Sequence, residues 1–213
     1  MHSTTTQTVS QGFWEKLPDI STVEQTVNAL EANGFKAEAV PNGAAALERI
    51  RALIPEGAEV MTGSSRTLEE IGFVGLLSSD SHKWVNLKTA LLAEKDKEKQ
   101  QILRRKAQFA DYFLGSVHAV TTTGEMIAGS ASGSQLAAYA FGGKNLIIVA
   151  GTNKITKDLE EGMMRLREHT FPLEDKRMKG LGFPGTVLSK ILIYEKEPLR
   201  NVHVILINEK LGF

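Results

Sequence analysis

The chain has no cysteine among its 213 residues. Disulfides, thiol nucleophiles, zinc–thiolate sites and an iron–sulfur cluster held by this chain are excluded with it. It has no excess charge either. Its 25 basic and 25 acidic residues cancel, so the composition gives no footing for a nucleic-acid or membrane-surface partner. No apolar run reaches membrane-spanning length. The first residues, MHSTTTQTVSQGFWEKLPD, are polar where a secretory signal has an apolar core. These absences lead us to expect a cytoplasmic protein, one domain over residues 1–213, with a frayed start up to about Gly12.

Several chemical signatures are missing as well. His82, His118, His169 and His203 are scattered without metal-ligand spacing, so no metal site is expected. There is no Walker phosphate loop and no G-x-S-x-G elbow, and no G-x-G-x-x-G follows a predicted strand. No cofactor is evident.

What is present is an alternation. Ser21 with Glu24 reads as a capping box, followed by apolar residues at helical spacing and a stop at Asn33-Gly34. KAEAV (36–40) reads as a strand, and Asn42 caps a second helix. AEVMTG (58–63) is a strand, and Thr67 with Glu70 opens a helix through about Leu77. Residues 88–110 form a charge-laced helix, a solvated face. ADYFLGS (110–116) and NLIIVAG (145–151) are buried strands, the second the strongest in the chain. Residues 135–141 and 156–169 read as helices, and 170–186 as a loop rich in glycine and proline. Two final strands flank Pro198 and are expected to pair as an antiparallel edge, which also offers a surface for a homodimer. The alternation predicts an α/β fold: a mostly parallel, Rossmann-like sheet with helices on both faces.

Three loops concentrate hydroxyls and backbone amides. In MTGSSRT, Gly63 allows a tight turn, Ser64, Ser65 and Thr67 offer hydroxyls, and Arg66 offers a charge-assisted bond. The second lies in TTTGEMIAGSASGS. Thr123, Gly124, Gly129, Ser130, Ser132, Gly133 and Ser134 cluster there, and Glu125 is its one carboxylate. That carboxylate is a candidate general base or a solvated loop residue. In the third, Asn153 and Lys154 follow the apolar strand, where open α/β sheets bind ligands. The first and third loops read equally as well-capped helix starts or as parts of an anion cradle, and the second reads as part of the cradle ahead of a flexible surface turn. His118, just before the threonines, reads as a partly buried strand-end histidine.

Four stretches together resemble the LUD-domain family, named for lactate utilisation: IRALIPEGAEVMTGSSRTLEEIG, ADYFLGSVHAVTTTGEMI, NLIIVAGTNKITKDLEEGMMRLRE and NVHVILINEKLGF. Their order and spacing match over nearly the whole chain. The resemblance implies a layered α/β fold like that of the sugar-phosphate isomerase and CoA-transferase superfamily. It also implies a part in oxidising lactate to pyruvate beside iron–sulfur oxidoreductase partner proteins. Many relatives carry a cysteine cluster after the position of Phe171; here that segment is PLEDKRMKGLGFPGTVLSK, without one. Relative to the isomerases, paired aspartates look replaced by threonines, leaving Glu125 and Lys154 as the ionisable groups. The expectation is therefore an accessory protein that holds a small anionic or phosphorylated metabolite. The alternative is an isomerase- or transferase-type enzyme using Glu125.

Overall fold

The computed structural model describes residues 12–213, so the expected frayed start, Gly12 apart, lies outside the described residues. Ten strands follow in chain order: β1 (Lys36–Val40), β2 (Glu59–Thr62), β3 (Val85–Asn86), β4 (Tyr112–Gly115), β5 (Ala119–Thr121), β6 (Met126–Ser130), β7 (Asn145–Gly151), β8 (Ile155–Thr156), β9 (Lys190–Tyr194) and β10 (Asn201–Ile207). The larger sheet has the order β1-β10-β7-β4-β2-β3, with every pairing parallel. The smaller has the order β8-β5-β6-β9 and is mixed: β5–β6 and β6–β9 are antiparallel, β5–β8 parallel.

The helices are α1 (Ile20–Ala32), α2 (Gly43–Leu53), α3 (Arg66–Glu70), α4 (Phe73–Leu77), α5 (Leu87–Ala93), α6 (Lys97–Lys106), α7 (Ser134–Ala137), α8 (Leu159–Arg165) and α9 (Phe171–Gly180). Helices cover the large sheet on both sides. The period-2 alternation of β7 shows the division. Leu146 and Ile148 join Leu30 of α1 and Phe113 in one buried cluster. Ile147 and Val149 face the other way, onto Ile50 of α2, Leu68 of α3 and Phe73 of α4. A third cluster, Ala119, Ile127 and Leu166, seals the small sheet against the end of α8.

The fold class is the expected one, with four local differences. The two final strands do not pair with each other. β10 lies inside the large sheet between β1 and β7, because Val202 and Val204–Ile207 are buried throughout and need cover on both faces. β9 instead closes the small sheet against β6, so of the two only β9 leaves an edge for a second copy. Second, the expected loop 170–186 holds α9. A π-helical turn over Leu166–Thr170 joins α8 to α9, and Pro172 sits in the first turn of α9, where its missing N–H is tolerated. Third, MIAGS is a strand rather than part of a loop; its small residues let it lie against the apolar wall described below. A Cβ on Gly129 would come within 2.6 Å of Leu188.

Fourth, two caps shift by two residues, and two helices split. Asp19, not Ser21, accepts the N–H of Thr22, and Ser65, not Thr67, accepts that of Leu68. Gly72, at φ 82°, ends α3 and starts α4, and residues 94–96 separate α5 from α6.

Candidate functional site

β7, β4 and β2 are neighbours in the large sheet, and their carboxyl ends open on one cleft of about 380 Å³. Each strand end contributes: Ser64–Thr67 after β2, Ser116–His118 after β4, and Lys154 after β7. The small sheet adds Gly129 and Ser130 from β6, with Ser132, Ser134 and Gln135 beyond it. Leu166, Phe171 and Met178 of the α8–α9 arm form the facing wall with Val187 and Leu188. A crevice at the carboxyl ends of a parallel sheet is where such folds bind ligands.

Much of the hydroxyl supply is spent on the loops themselves. Ser65 caps α3 (3.3 Å to the Leu68 N–H), Ser130 accepts the Gly133 N–H (3.0 Å), and Ser132 donates to Ser134 (3.0 Å). α3 is five residues long, too short for its dipole to dominate the site. The charge that matters lies deeper.

Lys154 is 3 % exposed. Its Nζ donates to Thr67 Oγ1 (3.0 Å), Ser116 Oγ (3.1 Å) and the Val117 carbonyl (3.2 Å). All three acceptors are neutral. Burial lowers its pKa to about 7, with Arg165 adding to the effect and Glu70 opposing it. Arg165 is fully buried nearby. Its Nη1 donates to the His118 carbonyl, to Thr170 Oγ1 (3.0 Å) and to the Phe213 main-chain oxygen (3.2 Å). Its Nε and Nη2 have no hydrogen-bond partner among the described residues. Two buried cations thus share one neighbourhood, and among the described residues no Asp or Glu side chain is hydrogen-bonded to either.

His118 lines the same cleft. The Gly129 N–H donates to its Nδ1 at 2.9 Å, so the neutral ring carries its proton on Nε2. Burial, together with Lys154 and Arg165, depresses its pKa to about 3. At neutral pH His118 is therefore a neutral donor, not a cation. The chain's last residues close one side. The Leu211 N–H donates to Asn153 Oδ1 (3.1 Å), the Gly212 N–H to Glu70 (2.6 Å), and Phe213 reaches the cleft.

Of the residues singled out in the sequence, Ser64, Ser65, Arg66, Thr67, Gly129, Ser130, Ser132, Ser134 and Lys154 line this cleft. Gly63 lies behind Gln135, whose side chain a Cβ there would meet at 3.0 Å. Gly133 is the left-handed turn before α7, at φ 80°. Asn153 is buried and holds the C-terminal segment. Thr123, Gly124 and Glu125 are elsewhere, at the tip of the β5–β6 hairpin, away from the end where His118 meets Gly129. The Glu125 carboxylate accepts from the hydroxyls of Thr121 and Thr123, the latter at 2.6 Å, and Asn33, just past the end of α1, ties down the Thr123 carbonyl at 3.0 Å. Burial pushes the Glu125 carboxyl up, but those hydroxyls outweigh it and hold its pKa below the usual range. It is a fastened hairpin residue and stands outside the cleft, which removes the geometric basis for making it the base.

Sequence reasoning passed over Arg165, Ser116, Gln135, Thr170, Phe213 and the apolar wall. Ser116 was findable: it follows an apolar strand as Gly63 and Thr152 do. Arg165 was not, since a basic residue in a charged helix reads as exposed. Among the described residues, no His, Asp and Glu converge as metal ligands would.

One solved structure shares the fold. A DUF162 family protein from Deinococcus radiodurans superposes with a TM-score of 0.52 at 11% identity, over 91% of this chain and 100% of that one. The β subunit of eIF2B from Chaetomium thermophilum gives a TM-score of 0.34 at 15% identity, over 70% of this chain and 59% of that one. No curated protein matches the chain. The LUD domain profile matches residues 23–207, and the chain belongs to the LUD-domain family.

Proposed function

We propose that the cleft binds a small anionic metabolite, with the Lys154 ammonium as its principal counter-charge. One observation carries this reading: a buried lysine hydrogen-bonded only to neutral oxygens, beside a second buried cation with unused donors. An unpaired ammonium is costly to bury, and an anion in the cleft removes that cost. His118 Nε2–H and the hydroxyl of Ser116 supply neutral donors to the same ligand. In the setting the family name suggests, the anion is a metabolite of lactate oxidation, and the protein is an accessory component acting beside iron–sulfur oxidoreductase partners. Turnover through Glu125 finds no support in the geometry.

The test is thermal denaturation with lactate, pyruvate, phosphate, sulfate and sugar phosphates. A ligand of the native state raises Tm with the logarithm of one plus its concentration over Kd. The reading predicts a shift with at least one of these anions in the wild type and none in Lys154→Met. No shift with any of them contradicts it.

A further inference from the structure

The cleft carries its buried lysine on one side, and the facing side mixes carbon with a self-paired Glu174–Arg177 ion pair (2.7 Å). Lys154, Ser116 and His118 sit at the strand ends, while Leu166, Phe171 and Leu188 face them with carbon. A three-carbon acid such as lactate, with six heavy atoms, takes roughly four water volumes, about 120 Å³. It leaves most of the 380 Å³ cleft unfilled. The cleft also does not stop at its apolar wall. A second, more open cavity of about 430 Å³ adjoins it across Phe171, Val187 and Leu188, which line both, and continues to Ile191. The corridor is also open to solvent on its apolar side: Val187, which lines both cavities, is 63% exposed. Clustered exposed apolar surface running out of a ligand cleft marks a binding surface.

We propose that the anion held at Lys154 carries an apolar chain, its head on the strand ends and its tail laid along Leu188 and Val187 toward Ile191. The ligand class is a monocarboxylate with a straight or branched hydrocarbon tail. This rests on the anion reading above and narrows it. The occupant is a small amphiphile because the corridor starts at a buried positive charge and runs out along carbon; Arg167, which also lines the outer cavity, is exposed to solvent. Gly129 fits the same account: its missing side chain brings β6 against Leu188, whose side chain a Cβ would meet at 2.6 Å, and so keeps the polar floor and the carbon wall close together.

The experiment is a calorimetric series on the full chain with straight monocarboxylates from acetate to octanoate. Burial of each methylene in the corridor raises affinity about two- to fourfold. Val187→Ser, at an exposed position, and Leu188→Ser are expected to flatten the series. Lys154→Met is expected to abolish binding along the whole series. If acetate, lactate or sulfate binds but affinity is flat with chain length, the tail is overturned and the anion site stands. A slope retained in both serine variants, or in Lys154→Met, overturns the assigned path. If no anion of any length binds, both readings fall together.

Discussion

The cleft floor and the tip of the β5–β6 hairpin are built from the same materials and end in opposite states. Both gather threonine and serine hydroxyls around one ionisable group. At the hairpin tip the group is the Glu125 carboxylate, and Thr121 and Thr123 donate to it, so the network closes on itself. At the floor the group is the Lys154 ammonium. Its neutral acceptors take its hydrogen bonds but leave its charge. Neutral dipoles satisfy an exposed or half-exposed charge at little cost, whereas a buried one still lacks a counter-ion. Polar density alone therefore does not mark a site; uncompensated charge under burial does.

The largest expected effect breaks the floor. Lys154→Met should weaken binding of any responsive anion by at least about thirtyfold, the loss typical when one partner of a buried charge pair is removed. The ligand-free variant should melt no lower than wild type, because methionine fills a similar volume without a buried charge. Titration calorimetry and thermal denaturation read the two halves.

The next effect is on pH. With the Lys154 pKa near 7, the ammonium fraction falls as pH rises from about 6 to about 8, and sulfate or lactate affinity should fall about tenfold across that window. The free protein moves the other way. The folded pKa lies below the unfolded value, so the unfolded chain binds more protons between the two. The Lys154 contribution to stability is then lost as pH falls toward about 7 and regained as pH rises toward about 10.5. Subtracting Lys154→Met denaturation curves from wild-type curves across that range isolates it.

Smaller effects sharpen the hairpin side. Glu125→Gln should cost about 1 kcal/mol of stability, the scale of a charged hydrogen-bond network partly replaced, and should leave anion affinity within about twofold. A large loss of binding in that variant would return Glu125 to the site. Arg66 sits at the cleft mouth, 41% exposed and paired with Glu69 and Glu70. Arg66→Ala should weaken binding by only about two- to threefold, and less at high salt, as befits an exposed ion.

The same contrast explains what the sequence could reveal. KAEAV and NLIIVAG are strands because alternation or unbroken apolar character leaves little choice, and they fall at 36–40 and 145–151 as read. Caps were off by two residues because Asp19 and Ser21, or Ser65 and Thr67, are all competent acceptors, and only tertiary packing chooses between them. α9 hid behind Pro172 and the following glycines, and β6 behind residues too small to show a period. Lys154 was legible from its place after the apolar strand. Its burial was not, because that depends on Arg165, Thr67 and the C-terminal segment arriving from distant parts of the chain. Glu125 drew attention as a lone carboxylate among hydroxyls, and those hydroxyls turned out to be its partners.

The central claim is that an anion in the cleft pairs with the Lys154 ammonium. Calorimetry of a responsive anion at about pH 7.5, in two buffers of different ionisation enthalpy, tests it most directly, since a lysine with a pKa near 7 must take up a proton to pair with the ligand. The account predicts net proton uptake on binding in the wild type, and none in Lys154→Met at whatever residual affinity remains. Proton uptake that persists in Lys154→Met, or an affinity that this substitution leaves unchanged, would contradict it.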